Sequence, residues 1–131
     1  MSKLDLATSG KPVTYVYVTD VDRGLAFYRD TLGLSVVEGS ADPYGCFLDL
    51  PGGLLRLTKM GDHQPSPHPV LGFEVADIAG TVAGLRGRGV TMDMFEGFGQ
   101  DADGVATMPD GMKLAFFKDA DGNALTLSQP A

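Results

Sequence analysis

Val13-Thr-Tyr-Val-Tyr-Val-Thr-Asp20 and Val70-Leu-Gly-Phe-Glu-Val-Ala-Asp77 are two versions of one segment, 57 positions apart. Val13 matches Val70, Val18 matches Val75 and Asp20 matches Asp77; further on, Ala26 matches Ala83 and Arg29 matches Arg86. A repeat of this period marks a duplicated supersecondary unit. In the first copy Thr14, Val16 and Val18 alternate with Val13, Tyr15 and Tyr17. That is the period of a half-buried strand.

A helix follows each strand. Val21, Leu25, Tyr28 and Leu32 form one apolar stripe, which predicts a helix over Val21–Leu32. Asp20 or Asp22 suits its N-terminus and Gly33 the left-handed position past its end. In the second copy Ile78, Val82 and Leu85 make the stripe, Asp77 is the cap and Gly89 the stop. Three strands are then expected in each half: Ser35–Glu38, Cys46–Leu50 and Leu54–Lys59 in the first, and Thr91–Phe95, Lys113–Lys118 and Ala124–Ser128 in the second. Pro51-Gly52-Gly53 and Asp119-Ala-Asp-Gly-Asn123 supply hairpin turns. The linker Gly61–Pro69 carries three prolines and is expected to be extended and exposed.

The order βαβββ–βαβββ predicts one α+β domain over residues 1–131, with modules at about 11–60 and 68–131 and helices on one face of each sheet. The other face of each sheet, expected to curl into a hollow, is where function belongs. Alternation puts Val13, Tyr15 and Tyr17 on that face of the first strand, Leu54, Arg56 and Thr58 on the fourth, and Val70, Gly72 and Glu74 on the fifth.

Bulk properties narrow the partners. The net charge of −7 leaves no Lys/Arg patch for a phosphate backbone or an anionic lipid, so neither nucleic acid nor a membrane surface is expected. No stretch approaches the roughly 20 apolar residues that span a bilayer. The opening Met1-Ser-Lys-Leu-Asp5 lacks the apolar run of a signal peptide, and the single cysteine, Cys46, forms no internal disulfide. A cytoplasmic location follows as an expectation.

Val18-Thr-Asp20, Arg23, Ala26-Phe-Tyr28 and Leu32-Gly-Leu34 resemble the first module of the vicinal oxygen chelate superfamily. Phe117-Lys-Asp119, Asp121-Gly-Asn123 and Leu125-Thr-Leu127 resemble its closing hairpin. That superfamily includes glyoxalase I, the extradiol dioxygenases, the fosfomycin-resistance enzymes and the bleomycin-binding proteins. The resemblance spans about Lys11 to Gln129 and implies the glyoxalase/bleomycin resistance/dihydroxybiphenyl dioxygenase-like fold. In metal-dependent members, His, Gln or Glu ligands come from the first and last strands of each module. Carried over, those positions fall on Val13, Arg56, Val70 and Thr126. Two valines offer no lone pair, arginine is a permanent cation and threonine is a weak neutral donor. No metal or other cofactor is therefore expected. A site relocated to His63, His68 and Glu74 is imaginable, but no spacing demands it.

The polar groups best placed to converge are Tyr15, Tyr17, Arg56, Glu74 and Thr126. Arg56 suits a carboxylate or enolate oxygen, and Glu74 suits a base if burial raises its pKa. The plainer alternative is an Arg56–Glu74 ion pair. Met92, Met94, Phe95, Phe98, Met108 and Met112 make an adaptable apolar wall, or else core and dimer contact. Asp101-Ala-Asp103-Gly104 and Asp119-Ala-Asp121-Gly122 lack the remaining acidic ligands of a calcium loop and read as turns. Gly97-Phe-Gly99 is framed by no βαβ unit, and no nucleophile arrangement includes Cys46.

Three activities fit. The first is a metal-independent binder of a small organic molecule, with Tyr15, Tyr17, Arg56, Glu74, Thr126, Met92, Phe95 and Phe98 as ligand contacts. The second is a metal-independent isomerase or lyase on a small oxygenated substrate, with Arg56 and Glu74 as catalytic candidates. The third is a metal-dependent lyase or dioxygenase with relocated ligands. Free sheet edges predict a homodimer under all three.

Overall fold

β1 (Val13–Val18) buries Val16 and Val18 and leaves Tyr15 and Tyr17 exposed, as its alternation requires. The computed structural model describes residues 4–131, which form two compact units, one ending at His63 and the other running from Gln64 to Ala131. Of the opening segment read above, Met1–Lys3 lie outside the described residues. A single helical turn, α1 (Leu6–Ser9), precedes β1.

In the first unit, β2 (Gly45–Leu50) and β3 (Gly53–Lys59) complete a three-stranded sheet of order β1-β3-β2, with β1 parallel and β2 antiparallel to β3. Leu48, Leu55 and Leu57 are fully buried beside Val16, Val18 and Cys46. Burying such aliphatic side chains contributes about 1.5–3 kcal/mol each. α2 (Val21–Leu25) covers this layer and runs on as a π-helical turn over Ala26–Thr31. Gly24 is the point of closest approach: a Cβ there would lie 3.1 Å from Leu57 Cδ2 and 3.2 Å from Val18 Cγ1. Asp20 caps the helix by accepting from the Arg23 N–H at 3.2 Å, and Gly33 takes φ 83° past its end. The π turn, in which the Leu32 N–H donates to the Phe27 carbonyl, replaces the uniform α-helix expected over this span.

The second unit repeats the plan. β4 (Leu71–Glu74) lies parallel to β7 (Ala124–Gln129) in a sheet of order β4-β7-β6-β5, where β5 is Ala106–Thr107 and β6 is Lys113–Lys118. α3 (Ile78–Gly87) buries Ile78, Val82 and Leu85. Its first amides are taken up by Asp77 Oδ1, which accepts from Gly80 N–H, and by Gln129 Oε1, which accepts from Ile78 N–H at 2.8 Å. Gly89 adopts φ 88° beyond its end. Equivalent aspartates and glycines thus start and stop both helices.

Two expected strands shrink to single bridges, Ser35–Glu38 to Val36 opposite Leu48 and Thr91–Phe95 to Met92 opposite Phe117. In the first case the chain turns away at Gly39, where φ is 75°. In the second, the Gln100 side chain replaces the ladder. Its Oε1 accepts from Phe95 N–H, and its Nε2 donates to the carbonyls of Asp93 and Gly104. β5 then occupies the remaining edge of β6 at Lys113 and Leu114. No helix among the described residues is long and apolar enough to cross a membrane.

Candidate functional site

The face of each sheet turned away from its helix holds the polar and aromatic side chains that the core leaves out. On the first sheet the register sets Tyr15 beside Arg56 and Arg56 beside Phe47. On the second it sets Gly72 beside Thr126 and Thr126 beside Phe116. The two rows occupy equivalent places in the two units.

Arg56 is only 9% exposed. Its guanidinium carbon lies 5.0 Å from the centre of the Phe47 ring, within cation–π range. Nη2 donates to both carboxylate oxygens of Asp42, at 3.0 and 2.9 Å. Asp42 Oδ1 also accepts from the Tyr44 and Gly45 amides, at 2.8 and 2.9 Å, so the turn fixes the carboxylate. The Arg56 guanidinium, and after it the Tyr44 amide, holds the Asp42 carboxyl below the ordinary aspartate value. Within its own unit, the carboxylate partner of Arg56 is therefore Asp42. Arg56 Nη1 is buried and has no hydrogen-bond partner among the described residues.

Tyr15 and Tyr17 stand on the same face, 59% and 36% exposed, with His63 6.0 Å from Tyr17 ring to ring. Cys46 points the other way, into the core, where burial pushes its thiol pKa up. A thiol in that state is a poor nucleophile.

On the second sheet Phe95, Phe98 and Phe116 meet edge to face, with centroids 5.4, 5.7 and 6.3 Å apart. Phe95 is 48% exposed. Thr126 sits beside Phe116, and its Oγ1 leans over Gly72. Glu74 shares the Gly72 face of β4 and is exposed. Met92 belongs to the opposite side. It is buried and bridges Phe117, so it stands with the core and apart from Phe95 and Phe98. The first aspartate of each glycine-bearing turn is occupied by backbone amides: Asp101 Oδ1 accepts from Asp103 and Val105, and Asp119 Oδ1 from Asp121 and Asn123.

The donor set does not fit a divalent ion of the kind the resemblance implies. Val13 pairs with Leu54 and Val70 precedes β4, so neither lies beside Arg56 or Thr126; Tyr15 and Gly72 do. Arg56 is a cation already committed to Asp42. Among the described residues, no group of three or more His, Cys, Asp or Glu side chains is placed to hold a metal ion.

Four contributors were absent from the sequence reading. Phe47 and Phe116 were detectable in principle, since each alternates with buried neighbours in its own strand. Asp42 and Gln100 act from loops, where no periodicity reports them.

A family model for the Glyoxalase/Bleomycin resistance protein/Dioxygenase superfamily matches residues 10–127. The chain belongs to that superfamily. Its solved structural relatives include a glyoxalase/bleomycin resistance protein/dioxygenase from Alicyclobacillus acidocaldarius, at TM-score 0.69 and 19% identity over 90% of this chain and 89% of that one. The antibiotic binding protein TnmS3 from Streptomyces sp. CB03234 aligns at TM-score 0.68 and 24% identity over 91% and 93%. The lactoylglutathione lyase from Agrobacterium tumefaciens aligns at 0.63 and 20% over 89% and 90%. No curated protein matches the sequence. At these identities the likeness establishes the superfamily fold, which hosts both binding proteins and enzymes.

Proposed function

We propose that this superfamily member binds a small planar organic molecule on the open face of its second sheet, with no metal ion in the site. The observation that carries the reading is the Phe95–Phe98–Phe116 cluster, three rings meeting edge to face on the side away from the helix. Aromatic rings that are packed against one another yet partly open to water offer a pre-ordered apolar surface at little entropic cost. Thr126, alongside Phe116, supplies a hydroxyl to orient a polar substituent. A structural relative, TnmS3, is an antibiotic binding protein, which is the activity class this surface suits.

Binding is favoured over proton-transfer chemistry because Glu74, the carboxylate on the Gly72 face, stands in water. Proton abstraction from a substrate works best in a site closed to water, which an exposed carboxylate lacks. The same reading has the chain as a cytoplasmic homodimer. It is supported by the single, buried, free Cys46 and by β1 and β4, each an edge strand of its own sheet.

Protein-detected NMR with a panel of planar aromatic compounds tests the reading. At least one compound is expected to shift the Phe95, Phe98, Phe116 and Thr126 amides saturably, and Phe116→Ala is expected to weaken that binding about tenfold or more, as loss of a central aromatic contact does. A panel that leaves these amides unmoved, or binding untouched by Phe116→Ala, overturns it.

A further inference from the structure

We infer that Arg56 is the anchor for a carboxylate group of a small aromatic acid lying on the open face of the first sheet. The inference rests on the reading that this chain is a metal-independent binder, and it adds a second binding surface, on the first sheet, with the class of ligand that it would take.

Arg56 carries an unused donor. A guanidinium presents five N–H groups in a fixed planar fork. In Arg56, Nη2 is directed at Asp42, while Nη1 is buried and meets no acceptor among the described residues. A buried donor left unmade is costly, more so when it carries charge. The arrangement holds the unused nitrogen in place instead of letting it seek water. Nη2 is fixed by a carboxylate that two turn amides also hold, and the guanidinium lies against the Phe47 ring. A flexible surface arginine would have none of these constraints.

The class of ligand follows from what complements that nitrogen. The acceptor must be an oxygen, and a charged oxygen gains most, since charge-assisted bonds are about twice as strong as neutral ones. Asp42 does not fully satisfy the cation from its side, because its side chain is 43% exposed and shares its charge with water and two amides. The neighbours supply the remainder of the ligand's surface. Tyr15 is next to Arg56 on β1 and Phe47 next to it on β2, in one row across the sheet, with the guanidinium over the Phe47 ring. An aromatic acid, with a flat apolar body and one carboxylate, matches a charged donor in a row with two aromatic residues.

The test compares 2-naphthoate with its neutral isostere 2-naphthamide, titrated into the wild-type chain and into Arg56→Lys. Lysine keeps the charge and reaches for Asp42 but has no second nitrogen. The wild type is expected to prefer the acid by about tenfold or more, the effect of one charge-assisted hydrogen bond. Arg56→Lys is expected to bind the two alike. A second measurement needs no substitution: 2-naphthoate, and not 2-naphthamide, is expected to shift the Arg56 guanidinium NMR signals of the unaltered protein. Equal affinities in the wild type, a preference that survives Arg56→Lys, or unmoved guanidinium signals overturn the carboxylate anchor while the binding reading stands. If neither compound binds, while the panel still perturbs the second sheet, the anchor alone is wrong; if the panel fails as well, both are.

Discussion

Gly72 and Thr126 share one place on the second sheet: a Cβ on Gly72 would lie 2.6 Å from Thr126 Oγ1. In the first sheet the equivalent pair is Tyr15 and Arg56, a large ring beside a long cation. The open faces of the two units have thus diverged from one plan. The glycine leaves room for a threonine hydroxyl to lie over the strand. Gly72→Ala is expected to destabilise the protein by about 1–2 kcal/mol, the usual effect of overpacking. Adding Thr126→Ala should restore most of that loss, with a coupling of about 1 kcal/mol in a double-mutant cycle. Additive effects in urea unfolding would contradict the contact.

Gly24 and Gly84 look alike in sequence, each inside a helix, and differ in what surrounds them. A Cβ at Gly24 meets Leu57 and Val18 at 3.1 and 3.2 Å, whereas one at Gly84 meets nothing within 4 Å. Gly84→Ala should therefore stabilise by about 0.5–1 kcal/mol through helix propensity alone. Gly24→Ala should lose that gain to crowding, and Gly24→Val should destabilise by about 1–3 kcal/mol. Thermal unfolding of the three variants gives the order; a stabilising Gly24→Val would show that α2 does not pack as described.

Gln100 holds the Phe95–Phe98 loop by three hydrogen bonds to backbone groups of Asp93, Phe95 and Gly104. Gln100→Ala is expected to destabilise by about 1–3 kcal/mol, because it leaves part-buried backbone groups unmade. It should also raise amide hydrogen exchange selectively at Phe95. Gln100→Glu keeps the acceptor for Phe95 and loses the two donors, so its effect should fall on the Asp93 and Gly104 side. Unchanged exchange in Gln100→Ala would remove Gln100 from the site's support.

Arg56 and then the Tyr44 amide depress the Asp42 carboxyl pKa. A carboxylate depressed on folding contributes stability that is fully present above its unfolded value, about 3.9, and lost as pH falls through the folded value. The pair therefore adds no slope near pH 7 and adds one below about pH 4. Asp42→Asn should flatten the acid limb of stability there and leave its shape above pH 5 unchanged. A carboxyl NMR titration of Asp42 at the ordinary aspartate value would contradict the pairing.

Much of the fold was legible because burial imposes a period. The alternation of Val13–Val18, the strand Lys113–Lys118, the caps at Asp20 and Asp77, and the stops at Gly33 and Gly89 all reach the structure as read. Edges were less legible, because the second strand of each module needs only one residue, Val36 or Met92, to close its side of the sheet. Gln100 and β5 supply the rest, and a side-chain amide standing in for a strand leaves no pattern in sequence. The candidate site was legible by face, and Asp42 was not. Arg56, Tyr15 and Thr126 stand on the expected side, but the carboxylate that meets Arg56 comes from a turn, and Met92 packs inward.

The account turns on side chains, not a metal ion, holding the ligand. The most direct measurement is calorimetric titration of the tightest compound from the aromatic panel, first in excess EDTA and then with Ni2+, Mn2+ or Zn2+ added. The dissociation constant should be the same in every arm. Binding that vanishes in EDTA, or tightens tenfold with any one of these ions, would contradict it.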